Sequence, residues 1–418
     1  MEKSVKTLGN DYFKNSFFNK PKKPKNVVYN KHNLQIGWIV RNGQITNEIY
    51  KLDIKESFRA VGLGATRSGK TFLIREIADR YYALGNALLH LNDTKNEMWS
   101  SNTPVQEKFH HLLLPGEIPK GLKMLTLRPT FFRQIDDKLA DKNYWYSPDG
   151  RSLSRADFMT LMGAAKLPPN QQTALEIIFQ EIVKRLSEDE DLQLSVDLIN
   201  QIIEDEEIAP ATQRALKFKF KPLQSSHFFD KKEEKNIVAA IKNGFIPTVN
   251  VENFDSFGEG SFQFTEVVLS IIFREVRVAR RAKKIKRLLV VFDEASRFIG
   301  NSRDTSIKKE FVSSCDLDTR YGIDLISLWQ SATDIPPRIL QQSRYIFIPN
   351  TADVRTIQTM LVNTGMVRNV QISVNKAMKL KKQLRSIKFS WVVLDKMNMT
   401  MDIFIPFAPL SKHLETDN

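Results

Sequence analysis

Gly64-Ala65-Thr66-Arg67-Ser68-Gly69-Lys70-Thr71 reads G-x-x-x-x-G-K-T, the spelling of a phosphate-binding loop. Such a loop turns a strand sharply into a helix while its backbone N–H groups curl around a phosphate. Glycine at both ends allows the backbone dihedrals and the close approach of phosphate oxygens. The helix that follows aims the positive end of its dipole at the same phosphates. Lys70 supplies a point charge for the β/γ-phosphates, and the Thr71 hydroxyl is a ligand for Mg²⁺. The flanks agree. Phe58 to Leu63 is a short apolar run of strand character, and Thr71 to Tyr82 carries Phe72, Leu73, Ile77, Ala78, Tyr81 and Tyr82 at helical spacing. The candidate ATP contacts are therefore Gly64, Ala65, Thr66, Arg67, Ser68, Gly69, Lys70, Thr71 and Phe72. Arg67 stands where many such loops carry another glycine.

A second strong signal lies more than two hundred residues downstream. Leu288-Leu289-Val290-Val291-Phe292-Asp293-Glu294 is an apolar strand ending in two carboxylates. Five apolar residues in a row suit a strand buried on both faces, and ligands of open α/β sheets sit at the carboxyl ends of strands. Asp293 is placed to hold Mg²⁺, and Glu294 to orient and deprotonate an attacking water. The bland alternative makes Asp293 a helix cap. Ile323 to Gln330 is a further strand, with Gln330 at its end within reach of a γ-phosphate. Arg320, just ahead of it, is either a surface residue or an arginine finger reaching another subunit. The run Ala87 to Asp93 is a buried strand ending in polar residues, so Asp93 at its end and Lys95 and Glu97 after it are placed near the nucleotide or on a solvated loop.

The remaining chain is read around these two motifs. Residues 1–50 are a basic arm, with Lys20-Pro21-Lys22-Lys23-Pro24-Lys25, followed by a hairpin turning at Asn42-Gly43. Residues 98–235 show helical spacing at Ala156 to Gly163, Gln171 to Leu186 and Val196 to Ile203 with little strand signal, and read as a helical insertion. Residues 51–97 and 236–418 carry the α/β pattern, closing with strands at 389–395 and 401–406. The fold class is α/β with a mostly parallel central sheet. The run Arg280 to Arg287 is either a helix C-terminus complementing its dipole or a DNA-facing patch.

The bulk composition narrows the class. The chain has 418 residues, 42% hydrophobic and 26% charged, which is ordinary for a globular protein. It shows no span of transmembrane length and no signal peptide. Its single cysteine, Cys315, suits a reducing cytoplasm. A formal charge of +14 favours a polyanionic partner, nucleic acid first.

Taken together, GATRSGKT, LLVVFDEASRF, TRYGIDLISLWQ and the following Asp334-Ile335-Pro336 resemble the HerA/FtsK superfamily of DNA-pumping ATPases. Asp93-Thr94-Lys95-Asn96-Glu97 is similar to the D-x-K-G-E run of the superfamily's conjugative coupling proteins. The resemblance covers residues 55–97 and 236–410. It implies a RecA-like P-loop core, a homo-oligomeric hexameric ring and translocation of double-stranded DNA through its pore. It assigns ATP to the loop, Mg²⁺ to Thr71 and Asp293, water activation to Glu294, γ-phosphate sensing to Gln330 and the finger to Arg320. It also implies that residues 405–418 lean on a neighbouring subunit, and leaves residues 253–260 and 298–310 as pore-loop candidates by position. The N-terminal β-barrel of HerA proteins has no room here, and no membrane anchor precedes the motor. A nuclease, a capsid or a membrane complex remains as docking partner. A motor for a protein substrate and a nucleotide-gated scaffold are the rival readings.

Overall fold

The computed structural model describes residues 31–65, 68–94, 98–132, 144–225, 228–229, 236–252, 259–385 and 387–412. The basic arm, Thr66, Arg67, Lys95 to Glu97 and most of the 253–260 segment lie outside them. In chain order the strands are β1 (Asn33–Arg41), β2 (Gln44–Asp53), β3 (Arg59–Leu63), β4 (Ala87–Asp93), β5 (Met124–Pro129), β6 (Tyr144–Tyr146), β7 (Ile246–Asn250), β8 (Leu288–Phe292), β9 (Ile323–Trp329), β10 (Tyr345–Pro349), β11 (Trp391–Asp395) and β12 (Thr400–Pro406). The helices are α1 (Lys70–Ala83), α2 (Arg155–Leu161), α3 (Pro169–Glu188), α4 (Val196–Asp205), α5 (Pro210–Ser225), α6 (Ile237–Lys242), α7 (Glu259–Arg281), α8 (Ser296–Ile299), α9 (Ser306–Leu317), α10 (Pro337–Gln342), α11 (Val354–Asn363) and α12 (Val370–Arg385).

The twelve strands form one sheet in the order β2-β1-β12-β11-β10-β3-β9-β8-β4-β7-β5-β6. From β10 to β6 every neighbouring pair is parallel, while β10, β11, β12, β1 and β2 meet antiparallel. Parallel strands need crossovers, and the helices supply them. The β1–β2 turn uses Asn42 and Gly43 with φ of 52° and 76°, the left-handed pair a two-residue hairpin requires. This hairpin is no separate small sheet; β1 pairs with β12 and extends the main one.

Alternation along the strands divides the core. Leu288, Val290 and Phe292 of β8 face one apolar cluster with Val267, Val268 and Ile272 of α7. Leu289 and Val291 face the other, with Leu73, Ile74, Ile77 and Tyr81 of α1. The parallel strands are thus covered on both faces, as such strands must be.

One expectation needs correction. Residues 98–235 are not helical throughout: β5 and β6 lie within them and join the sheet beyond β7. The signal was weak because β5 is a six-residue run ending in Arg128-Pro129 and β6 is three aromatic residues. Arg128 is nevertheless fully buried, with Nη1 donating to Asn250 Oδ1 at 3.1 Å.

The flank of α1 is unusual. Arg75, Glu76, Asp79 and Arg80 are all buried, because residues 98–122 and the C-terminal strap 407–412 cover them. Asp79 Oδ2 accepts from Ser411 N at 2.8 Å and Ser411 Oγ at 2.7 Å. Arg75 donates to Ser101 and to the Lys412 carbonyl, and Arg80 Nη2 donates to Ala408 O at 3.2 Å. Arg80 also pairs with Glu76 at 2.9 Å and with Glu117. Through Lys412, the C-terminal segment packs on its own chain; residues 413–418 lie outside the described region.

Removing one member of a fully buried ion network strands its partners, at a cost of about 3–5 kcal/mol. Arg80→Ala is expected to lower stability by that order in urea denaturation. Arg155→Ala, whose pairing with Glu176 sits at the solvent face, is expected to leave the midpoint near the parent value. Equal effects would contradict the buried clamp.

Candidate functional site

Three adjacent parallel strands, β3, β9 and β8, deliver the motif residues to one sheet edge. The phosphate loop leaves the carboxyl end of β3, Gln330 follows β9, and Asp293 and Glu294 follow β8. Gly64 N donates to Trp329 O at 3.0 Å, tying the loop's first residue to the end of β9. Ala295 N donates to Leu328 O at 2.8 Å, tying the carboxylate turn to the same strand.

The loop is built for a close ligand. Gly64 has φ of 145° and Gly69 φ of 86°, values that exclude most side chains. A Cβ on Gly64 would stand 2.2 Å from Ser68 Oγ. Gly69 is the cap of α1 and makes no side-chain cap bond, so the first N–H groups of the helix await another acceptor. Ser68 Oγ is buried and has no hydrogen-bond partner among the described residues. The Lys70 side chain, also buried, folds back to donate to the Gly64 carbonyl. Thr71 and Phe72 are half-buried. The Phe72 ring packs against Val105, Leu113, Ala408 and Leu410, so what it offers a phosphate is its backbone N–H. The conformations of Thr66 and Arg67 lie outside the described residues.

Facing this loop is a concentration of negative charge. The Asp293 carboxyl is pushed up to about 6, first by burial and then by the nearby Glu294 and Asp93 carboxylates; Lys70 and the Glu294 backbone N–H, donating at 2.8 Å, oppose the rise. The Asp293 carboxyl and the Thr71 hydroxyl are hard oxygen donors, the ligand type that a hard divalent ion takes. Glu294 has φ of 43°, a left-handed conformation that costs a non-glycine residue about 1 kcal/mol or more. Its carboxylate pairs with Arg297 at 2.8 Å.

Two residues shape this turn without having been singled out from the sequence. Asn92, with φ of 69°, donates from Nδ2 to Asp293 O at 2.6 Å. Arg297 holds Glu294. A left-handed-tolerant Asn one position before the strand-end Asp93 was the available signal for the first; an i,i+3 acid–base pair was the signal for the second. Asp93 accepts from Met98 N at 3.0 Å and so braces the same edge.

Gln330 is exposed at the end of β9, between the loop and the carboxylates. Arg320 is not there. It is exposed in the turn before β9, with its guanidinium 5.1 Å from the Tyr321 ring centre. The seven residues of β9, at about 3.3 Å each, separate it from the site of its own chain.

The raised Asp293 carboxyl has a stability consequence. Its folded value exceeds its unfolded one, so ionising it opposes folding, increasingly as pH rises from about 4 to about 6 and constantly above. Asp293→Asn is expected to stabilise the free protein by about 1–3 kcal/mol at pH 8 and not at pH 4. Thermal denaturation at the two pH values checks this; destabilisation at pH 8 would contradict the charge crowding.

Neither the family models nor the curated protein sequences compared with this chain match it. Solved structures do. VirB4 of Thermoanaerobacter pseudethanolicus aligns over 92% of this chain and 98% of that one, with a TM-score of 0.57 and 14% identity. The bacterial conjugative coupling protein TrwB, in its unbound monoclinic form, aligns over 93% of this chain and 97% of that one, with a TM-score of 0.52 and 11% identity. The genome packaging NTPase B204 from Sulfolobus turreted icosahedral virus 2 covers 85% of this chain at 11% identity, but its TM-score of 0.35 is too low to carry an argument. This chain therefore has the fold of VirB4 and of the conjugative coupling protein TrwB.

Proposed function

We propose that this chain is an ATP-hydrolysing motor that assembles as a ring and moves double-stranded DNA. The observation that carries the reading is the convergence of a phosphate loop, its Lys70 and the Asp293–Glu294 pair at the ends of three neighbouring strands. Residues 64–72 cradle the triphosphate with backbone N–H groups, and Lys70 exchanges the Gly64 carbonyl for a phosphate oxygen. Thr71 and Asp293 hold Mg²⁺, which neutralises phosphate charge and draws off the crowding at Asp293. Glu294 orients and deprotonates the attacking water once Arg297 releases its carboxylate. Gln330, between the two halves, contacts the γ-phosphate or that water.

Arg320 supports the ring. Lying at the opposite sheet edge, it serves no nucleotide bound to its own chain, but its exposure suits a finger presented to the next subunit. The +14 charge and the fold shared with a conjugative coupling protein support DNA as the cargo. Among the described residues no helix is long and apolar enough to cross a membrane. In this reading residues 51–97 and 236–418 are the motor core, and the helices within 98–235 are elaborations on it.

Removing a general base costs about 10²–10⁴-fold in rate. Glu294→Gln is expected to lose hydrolysis by that factor while still binding ATP, and Arg320→Ala to be similarly slow. Mixing the two variants in the presence of duplex DNA is expected to restore part of the rate, because some interfaces then combine an intact Glu294 with an intact Arg320. A mixture no faster than its components would refute the finger in trans, and an active Glu294→Gln would refute the assigned base.

A further inference from the structure

The basic run at 280–287 divides by residue type. Its arginines are engaged inside the fold: Arg281 Nε donates to Asp318 Oδ1 at 2.7 Å, Arg287 Nε donates to Asp324 Oδ2 at 2.6 Å, and Arg280 Nη1 donates to Ile285 O at 3.1 Å. Its lysines are not. Lys283 takes φ of 57° and turns the chain, after which Lys284 and Lys286 line a cavity of about 480 Å³ together with Lys120 and Lys242. Among the described residues, no carboxylate or hydrogen-bond partner is recorded for these four ammonium groups.

The cavity sits at the amino-terminal ends of β4, β7 and β8, the sheet edge opposite the phosphate loop. The far end of α1 forms one wall, so a single helix of 14 residues spans the roughly 20 Å between the two places. The floor is apolar, with Ile241, Ile285 and Leu410 beneath the lysines. Phe245, 40% exposed, stands at the rim. Tyr82 OH donates to Gly244 O at 2.6 Å and holds two walls together. Gly85, with φ of 84°, makes the left-handed turn at the mouth.

Charge arithmetic decides the sign of the ligand. Three helix C-termini, those of α1, α6 and α7, end at this edge and contribute about half a negative charge each. Asp79, also on the wall, adds one carboxylate, its Oδ2 accepting from Ser411. Four lysines outweigh these and leave a net positive concavity. A cavity of this size holds a small molecule rather than a duplex. An aliphatic floor with a ring at the rim accepts a flat apolar body, and ammonium point charges suit phosphate.

We propose that this cavity is a second nucleotide-recognition site, taking a nucleoside phosphate with its base over the apolar floor and its phosphate on the lysines. A free nucleotide and the unpaired end of a DNA strand present the same chemistry. The site stands on the cavity itself and does not depend on the phosphate loop being catalytic.

The test uses the full chain carrying Lys70→Ala, which silences the phosphate loop. Fluorescence anisotropy reads the binding of a fluorescent ATP analogue and of a labelled, 5′-phosphorylated trinucleotide, with thermal unfolding as the check on folding. At least one probe is expected to bind, and which one identifies the source. Adding Lys284→Ala with Lys286→Ala is expected to weaken binding by roughly tenfold or more, the effect of about 1.4 kcal/mol. Ala83→Trp, which blocks the mouth from an exposed wall position without changing charge, is expected to do the same. The proposal stands only if both substitutions act. It is overturned if neither probe binds the Lys70→Ala chain, if either substitution leaves binding unchanged, or if an acidic hexapeptide binds as tightly as the nucleotide probes.

Discussion

Asp293, Glu294 and Asp93 crowd one sheet edge, with the Lys70 ammonium near them. Burying like charges together raises the proton affinity of at least one of them, and Asp293 shows that rise. The protein holds this arrangement at an electrostatic cost. Much of the architecture maintains it. β8 is fully buried on both faces, β9 hydrogen-bonds to the loop on one side and to the carboxylate turn on the other, and Asn92 grips the Asp293 carbonyl. Two residues, Asn92 and Glu294, accept left-handed backbone to complete the turn.

α1 carries this constraint into the body of the molecule. Its first residues complete the G-x-x-x-x-G-K-T loop, its apolar side packs on the sheet, and its charged side is enclosed by the C-terminal strap through Asp79–Ser411 and the Arg80 network. A helix fixed on all sides transmits displacement instead of absorbing it. The far end of α1 reaches the lysine-lined cavity. Arg320 and Gln330 are both exposed, Arg320 just before β9 and Gln330 just after it.

The sequence showed the local parts of this structure more clearly than the long-range ones. GATRSGKT and LLVVFDEA declare themselves because spacing and strand-end placement are local properties, as do the Asn42-Gly43 hairpin and the closing pair of strands. β5 and β6 escaped because neither run is long enough to have a period; their pairing beside β7 supplies the stabilisation. The strap was invisible because Arg75, Glu76, Asp79 and Arg80 look like an ordinary solvated helix flank until residues 98–122 and 407–412 cover them. The division of the 280–287 run, arginines to internal carboxylates and lysines to a cavity, likewise depends on Asp318 and Asp324 arriving from distant chain. Arg320 was legible as a residue type, but only the sheet geometry separates it from the G-x-x-x-x-G-K-T loop of its own chain.

The most direct test of a DNA motor is movement itself. A third strand annealed to a duplex is displaced when a translocating ring passes through its site, and fluorescence of that strand reports the displacement. The account predicts displacement that requires ATP and Mg²⁺, increases with time on long duplexes, and vanishes with Glu294→Gln. Robust ATP hydrolysis without displacement, on duplexes of any length and at low salt, would contradict it.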